Sequence, residues 1–268
     1  MTYSEKLQTI IKKNKSHLVI GLDSDIEKLP SLFLKYKNPV LEFNKLIIKS
    51  TKELVAGYKL NIAFYEYLEE EGLEAIRGSL AEIPNESIKI CDAKRGDIEN
   101  SAELYTRTYF DKYNFDSITL SPYMGEDSIA PFISRKDKGV YILALTSNSG
   151  GKDFQTIKVN GKYLYEMVIE QSLKWNKNKN IGFVFGANHI VELKNFTSIH
   201  PEIPLLIPGI GAQSNDLKNL VENLSSDNFV INSSRSIIYS SKKDCSEKEF
   251  VNSVRTTTID LNSGINER

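Results

Sequence analysis

Residues 87–97 read Ser87-Ile88-Lys89-Ile90-Cys91-Asp92-Ala93-Lys94-Arg95-Gly96-Asp97. A run of strand length, largely apolar, closes here on a cluster of charges that a packed core has no use for. Strand side chains alternate with a period of two, so Asp92 and Lys94 share one face with Ile88 and Ile90. Working outward, runs of the same kind recur at 18–23, 54–61, 117–123, 140–147, 181–187, 204–209 and 228–234. The eight runs begin 23 to 41 residues apart, the span of a strand plus a returning helix, which favours repeated βα units over hairpins.

The stretches between them carry apolar residues at three- and four-residue spacing, which predicts helices over 40–54, 64–77, 100–113, 164–175, 189–199 and 215–224. The stretch 127–133 is a shorter candidate interrupted by Pro131. Residues 4–14 and 247–260 read as flanking terminal helices, and no Pro/Gly/Ser-rich linker divides the chain. The expectation is an α/β chain forming one (β/α)8 TIM barrel over residues 1–268, with a doubly wound open sheet as the alternative.

Composition excludes several classes. Lys and Arg total 34 against 35 Asp and Glu, so net charge offers no general attraction to nucleic acid or to an anionic membrane. With 40% hydrophobic residues the chain can bury a large core, yet no apolar run approaches the ~20 residues needed to span a bilayer. The charged, amphipathic start is unlike a signal peptide, so the protein reads as soluble and cytoplasmic. Cys91 and Cys245 are too few for a disulfide framework, and His17, His189 and His200 lack ligand spacing, so a protein-built zinc site is not expected. Nucleophile-elbow, Walker A and dinucleotide motifs are absent.

Active-site groups of a barrel belong at the carboxyl ends of its strands. The first run ends in Asp23, the second carries Lys59 and Asn61 on one face, and the third carries Asp92 and Lys94. Val55 is expected to continue the second run's inward face, as Ile88 and Ile90 continue the third's. Two convergent ammonium groups repel unless carboxylates intervene, so an alternating Lys/Asp array is expected, with Asp97 adding a second carboxylate. Taken singly, Asp97 could be a helix cap and a strand-end lysine could reach for water; four charges at two neighbouring strand ends are hard to obtain from packing. Across the barrel, Pro208-Gly209-Ile210-Gly211-Ala212-Gln213 and Ser233-Ser234-Arg235-Ser236 combine close backbone approach with a guanidinium, a pairing suited to phosphate.

With 91–98, Leu145-Thr146-Ser147-Asn148, 208–213 and 232–236 in hand, the chain resembles the orotidine 5'-monophosphate decarboxylase family, in its longer bacterial subgroup, over 18–240. The resemblance implies decarboxylation of orotidine 5'-monophosphate to uridine 5'-monophosphate, the last step of de novo UMP synthesis, without metal or organic cofactor. It implies that Asp23, Lys59 and Asn61 contact the ribose and organise the charges, that Asp92 sits against the substrate carboxylate, and that Lys94 protonates C6. Ser147 would bond the pyrimidine edge, while Pro208, Gly211, Gln213 and Arg235 would line and hold the 5'-phosphate. Asp97 and Ser101 would serve the neighbouring subunit of a homodimer. The chain departs from the family pattern at Ser149 and at Ser214-Asn215, in loops that close over base and phosphate. Two other readings remain at this point: Mg2+-dependent sugar-phosphate decarboxylases and aldolases that share Asp-x-Lys-x-x-Asp, and a non-catalytic barrel that binds a phosphorylated ligand.

Overall fold

A computed structural model describes residues 1–209 and 214–266. All eight expected strands form: β1 (Leu18–Gly21), β2 (Gly57–Asn61), β3 (Ile88–Arg95), β4 (Ser117–Leu120), β5 (Gly139–Leu145), β6 (Ile181–Phe185), β7 (Leu205–Pro208) and β8 (Phe229–Ser233). Each pairs in parallel with its neighbours in chain order and β8 returns to β1, closing a barrel and excluding the open sheet. The intervening helices put the apolar faces of α2 (Pro39–Thr51), α4 (Glu69–Glu82), α7 (Leu164–Trp175), α8 (Ile190–Ile199) and α9 (Ser214–Glu222) over outward strand residues such as Tyr58, Leu60 and Cys91.

The amino-terminal helix α1 (Tyr3–Asn14) plugs the bottom of the barrel. It starts on a reciprocal cap between Thr2 and Glu5, and its Tyr3, Leu7, Ile10 and Ile11 pack against inward residues Val19, Ile88, Ile90, Tyr141, Val184, Leu206 and Val230. The Tyr3 and Tyr141 hydroxyls meet at 2.8 Å. Gly139 makes this close approach feasible, since a Cβ there would lie 2.4 Å from the Tyr3 ring. With that end sealed, polar inward residues are left to the carboxyl ends of the strands. The last helix, α10 (Glu247–Asn266), runs beyond its expected end and buries Phe250, Val254 and Ile265 in the outer layer.

Several boundaries differ from expectation. The predicted helix 64–77 is two: α3 (Ala63–Glu66) and α4, separated at Glu69, whose φ of 50° is incompatible with a continuous right-handed helix. The predicted helix 100–113 is α5 (Glu99–Thr106) followed by a π-helical turn, Arg107–Lys112. By contrast, α6 (Glu126–Ile133) tolerates Pro131. Val55 lies ahead of β2 and packs in the outer layer rather than continuing the strand's inward face. The polar stretch after β5 holds a short ribbon, Lys158–Val159 against Lys162–Tyr163.

Candidate active site

At the carboxyl end of the barrel a cleft of about 540 Å³ is lined by Asp23, Lys59, Asn61, Asp92, Pro208, Gly209, Asn232, Ser234, Arg235 and Ser236. Its volume is within the range of small-molecule sites. Strand parity directs Lys59 inward from β2, where it is only 3% exposed. Its ammonium donates to Asp92 Oδ2 at 2.8 Å and to Asp23 Oδ1 at 3.4 Å. Lys94 Nζ donates to the other oxygen of Asp92 at 2.6 Å. Asp23, Lys59, Asp92 and Lys94 therefore form a chain of alternating charge.

Simple alternation does not deliver Lys94 to this position. Between Cys91↔Ile118 and Arg95↔Leu120 the register shifts, so β3 carries a bulge, and Lys94 takes a φ of 49°. A left-handed non-glycine residue costs on the order of 1–3 kcal/mol and persists only where its surroundings enforce it. Thr119 on β4 supplies that enforcement: its hydroxyl donates to Asp92 Oδ1 at 3.0 Å and accepts the Lys94 backbone N–H at 3.0 Å. Lys94 ends with its side chain 51% exposed, tethered to the cleft through Asp92.

The electrostatics follow from burial and pairing. Burial by itself would push Lys59 down, but Asp23 and Asp92 outweigh it and hold the ammonium above the ordinary lysine value. Burial likewise opposes ionisation of Asp92, yet Lys59 and Lys94 bring its carboxyl down to about 2. Removing either partner from such a pair costs more than the pair contributes, because the remaining charge stays desolvated.

On the opposite wall, β7 delivers Pro208 and Gly209, and the turn after β8 delivers Ser234, Arg235 and Ser236. Gly21 at the end of β1 leaves room for this turn, since a Cβ there would lie 1.9 Å from Ser234 Oγ. Arg235 is exposed and has no carboxylate partner among the described residues. The exposed Ser147 stands beside Gly209, its Oγ 3.5 Å from where a glycine Cβ would be. Gly211 and Gln213 lie outside the described residues.

Asp97 and Ser101 are not among the residues lining the cleft of their own chain. Asp97 Oδ1 accepts the next backbone N–H, from Ile98, at 2.8 Å, and it has no ion pair among the described residues. It does not cap α5, whose N-cap is Ile98. Thr119 was not singled out in the sequence, and Asn232, Ser234 and Ser236 stood in the 232–236 motif without individual roles; buried Asn232 has an Oδ1 with no hydrogen-bond partner among the described residues. Among the described residues no group of three or more His, Cys, Asp or Glu is placed to hold a metal ion.

A closed parallel barrel with an alternating Lys/Asp array facing an arginine that has no carboxylate partner among the described residues defines a (β/α)8 enzyme acting on a small phosphorylated substrate. The sequence matches the model of the Orotidine 5'-phosphate decarboxylase / HUMPS family over residues 16–248, and the chain belongs to that family. It is 45% identical over 246 residues to an orotidine 5'-phosphate decarboxylase of Dehalococcoides mccartyi, covering 89% of each chain. It is 44% identical over 247 residues to that of Christiangramia forsetii, covering 90% of each. The structure of Leishmania donovani OMP decarboxylase superposes with a TM-score of 0.84 at 32% identity, covering 100% of both chains.

Proposed function

We infer that the chain decarboxylates orotidine 5'-monophosphate to uridine 5'-monophosphate, and that it does so as a single-domain barrel in the cytoplasm. The observation that carries this reading is the Asp23–Lys59–Asp92–Lys94 array at one wall of a cleft whose other wall presents Arg235. Arg235, with Gln213 and backbone groups around Pro208 and Gly211, holds the 5'-phosphate. Asp23, Lys59 and Asn61 take the ribose hydroxyls, and Ser147 takes the pyrimidine edge.

Departure of CO2 leaves the bonding electron pair on C6, where there is little delocalisation. Lys94 meets that pair as a fixed cation and then transfers a proton from Nζ to C6, and water restores the proton. An ammonium already in place stabilises developing charge without reorganisation. Asp92 beside the departing carboxylate adds electrostatic stress to the bound substrate, a smaller contribution. Neither step calls for a metal or organic cofactor.

The working unit is a homodimer in which Asp97 and Ser101 complete the partner's site. Asp97 lies three residues beyond Lys94 with no cation to pair with among the described residues. Ile98, Leu104, Tyr123 and Met124, all exposed apolar residues, lie beside it in sequence or follow β4 at the same barrel end. These features fit a surface covered by a second copy.

The test is the ultraviolet absorbance of orotidine 5'-monophosphate on adding purified protein with EDTA present. Conversion that persists supports this reading. A strict Mg2+ requirement, with turnover of a ketose phosphate instead, supports the sugar-phosphate chemistry. Nucleotide binding without CO2 release indicates a binder.

A further inference from the structure

A second polar groove, of about 340 Å³, opens on the outer wall of the barrel between α4 and the turn that follows α5. It is lined by Arg77, Lys89 and Lys112 together with Asn85, Tyr113 and Asn114, and among the described residues no carboxylate lines it. Lys89 is the anomaly. It sits on β3 with the opposite parity to Ile88 and Ile90, so its side chain leaves the barrel interior for this groove. It is only 6% exposed, yet its ammonium has no hydrogen-bond or ion-pair partner among the described residues.

The neighbouring carboxylate, Asp116, is already engaged. It accepts the backbone N–H of Lys89 at 2.9 Å and the ammonium of Lys6 at 2.7 Å. Lys138 Nζ is turned to Asn114 and Phe115. Burial pushes Lys89 below the ordinary lysine value, Asp116 partly offsetting this while Lys6 and Lys138 reinforce it. A cation on a buried stem, beside two surface cations that have no ion pair among the described residues, is costly by itself and becomes favourable when an anion shares it.

We propose that this groove is an anion site separate from the catalytic cleft, taking the phosphoryl or pyrophosphoryl group of a small metabolite between Lys89, Arg77 and Lys112, with the Asn85 amide as a further donor. The two sites share no lining residue. Lys89 supplies an ammonium on a buried stem and Arg77 a planar fork, which together give the groove a fixed cation beside a bidentate donor.

Equilibrium dialysis of inorganic pyrophosphate against the full chain tests this. Arg235→Ala removes the cleft's guanidinium, the cation there with no carboxylate partner among the described residues, and should leave one pyrophosphate bound per chain. In that background, Lys89→Met, and separately the exposed pair Arg77→Ser with Lys112→Ser, should each weaken the remaining binding at least about ten-fold. The exposed pair decides the matter if Lys89→Met fails to fold. Loss of all binding in Arg235→Ala, or unchanged affinity in the groove variants, would overturn the proposal.

Discussion

Asp92→Asn isolates the charge at the centre of the array, and its effect is largest as a function of pH. Asp92 is a carboxylate held down from 3.8 to about 2 by Lys59 and Lys94 against the opposing effect of burial. Because the folded value is depressed, the stabilisation is fully present above the unfolded value and is lost as pH falls toward 2. A difference of nearly two pH units corresponds to about 2–3 kcal/mol at neutral pH, of which about 1 kcal/mol should be lost between pH 6 and pH 3. The asparagine variant retains no such proton linkage at this position. Urea unfolding of both proteins, followed by fluorescence of the single tryptophan, Trp175, reads the difference directly. The variant should be less stable at pH 6, and the gap should narrow by about 1 kcal/mol at pH 3. A gap of constant size would refute the idea that the two lysines govern this carboxyl.

Other outcomes follow from the same geometry. Arg235→Ala should lower kcat/KM for orotidine 5'-monophosphate by roughly 100-fold, weakening nucleotide binding as well as turnover, since it removes charge-assisted bonds remote from the reacting carbon. Thr119→Val should destabilise the fold by about 1.5–3 kcal/mol, lower kcat about ten-fold and leave KM nearly unchanged, with recovery in Thr119→Ser; a fall in KM-dependent rates alone would contradict its role in positioning Lys94. Mixing inactive Lys94→Ala and Asp97→Ala chains should restore about a quarter of wild-type activity, because half the dimers are mixed and each carries one intact site. No recovery after verified subunit exchange would count against a shared site.

The barrel was legible because the strands are compact, largely apolar runs, and the polar residues that closed the first three marked the functional face. Lys59, Asn61 and Asp92 line the cleft as parity predicts, Asp23 does so as the residue that closed the first run, and parity also separates inward Lys59 from outward Lys89. Lys94 reached the expected neighbour by a different route, through a bulge that parity does not encode. The break at Glu69 was illegible because Glu69-Glu70-Glu71 carries no Gly or Pro to signal a left-handed residue. Thr119 was hidden inside an apolar run, where a β-branched residue is ordinary strand composition. Asn232 stood in the 232–236 motif without a role of its own, and only the tertiary structure shows that these two side chains face the charges and the cleft.

Catalysis by this array turns on one exchange, a proton passing between the Lys94 ammonium and an electron pair at C6 within the cleft. By microscopic reversibility, the enzyme should then remove the C6 proton of uridine 5'-monophosphate and return a deuteron from D2O. Proton NMR of the nucleotide in D2O follows the H6 signal. Wild-type protein should bleach it steadily while the Lys94→Ala chain, folded but inactive in decarboxylation, leaves it intact; equal loss of H6 with both proteins would contradict the assignment of Lys94.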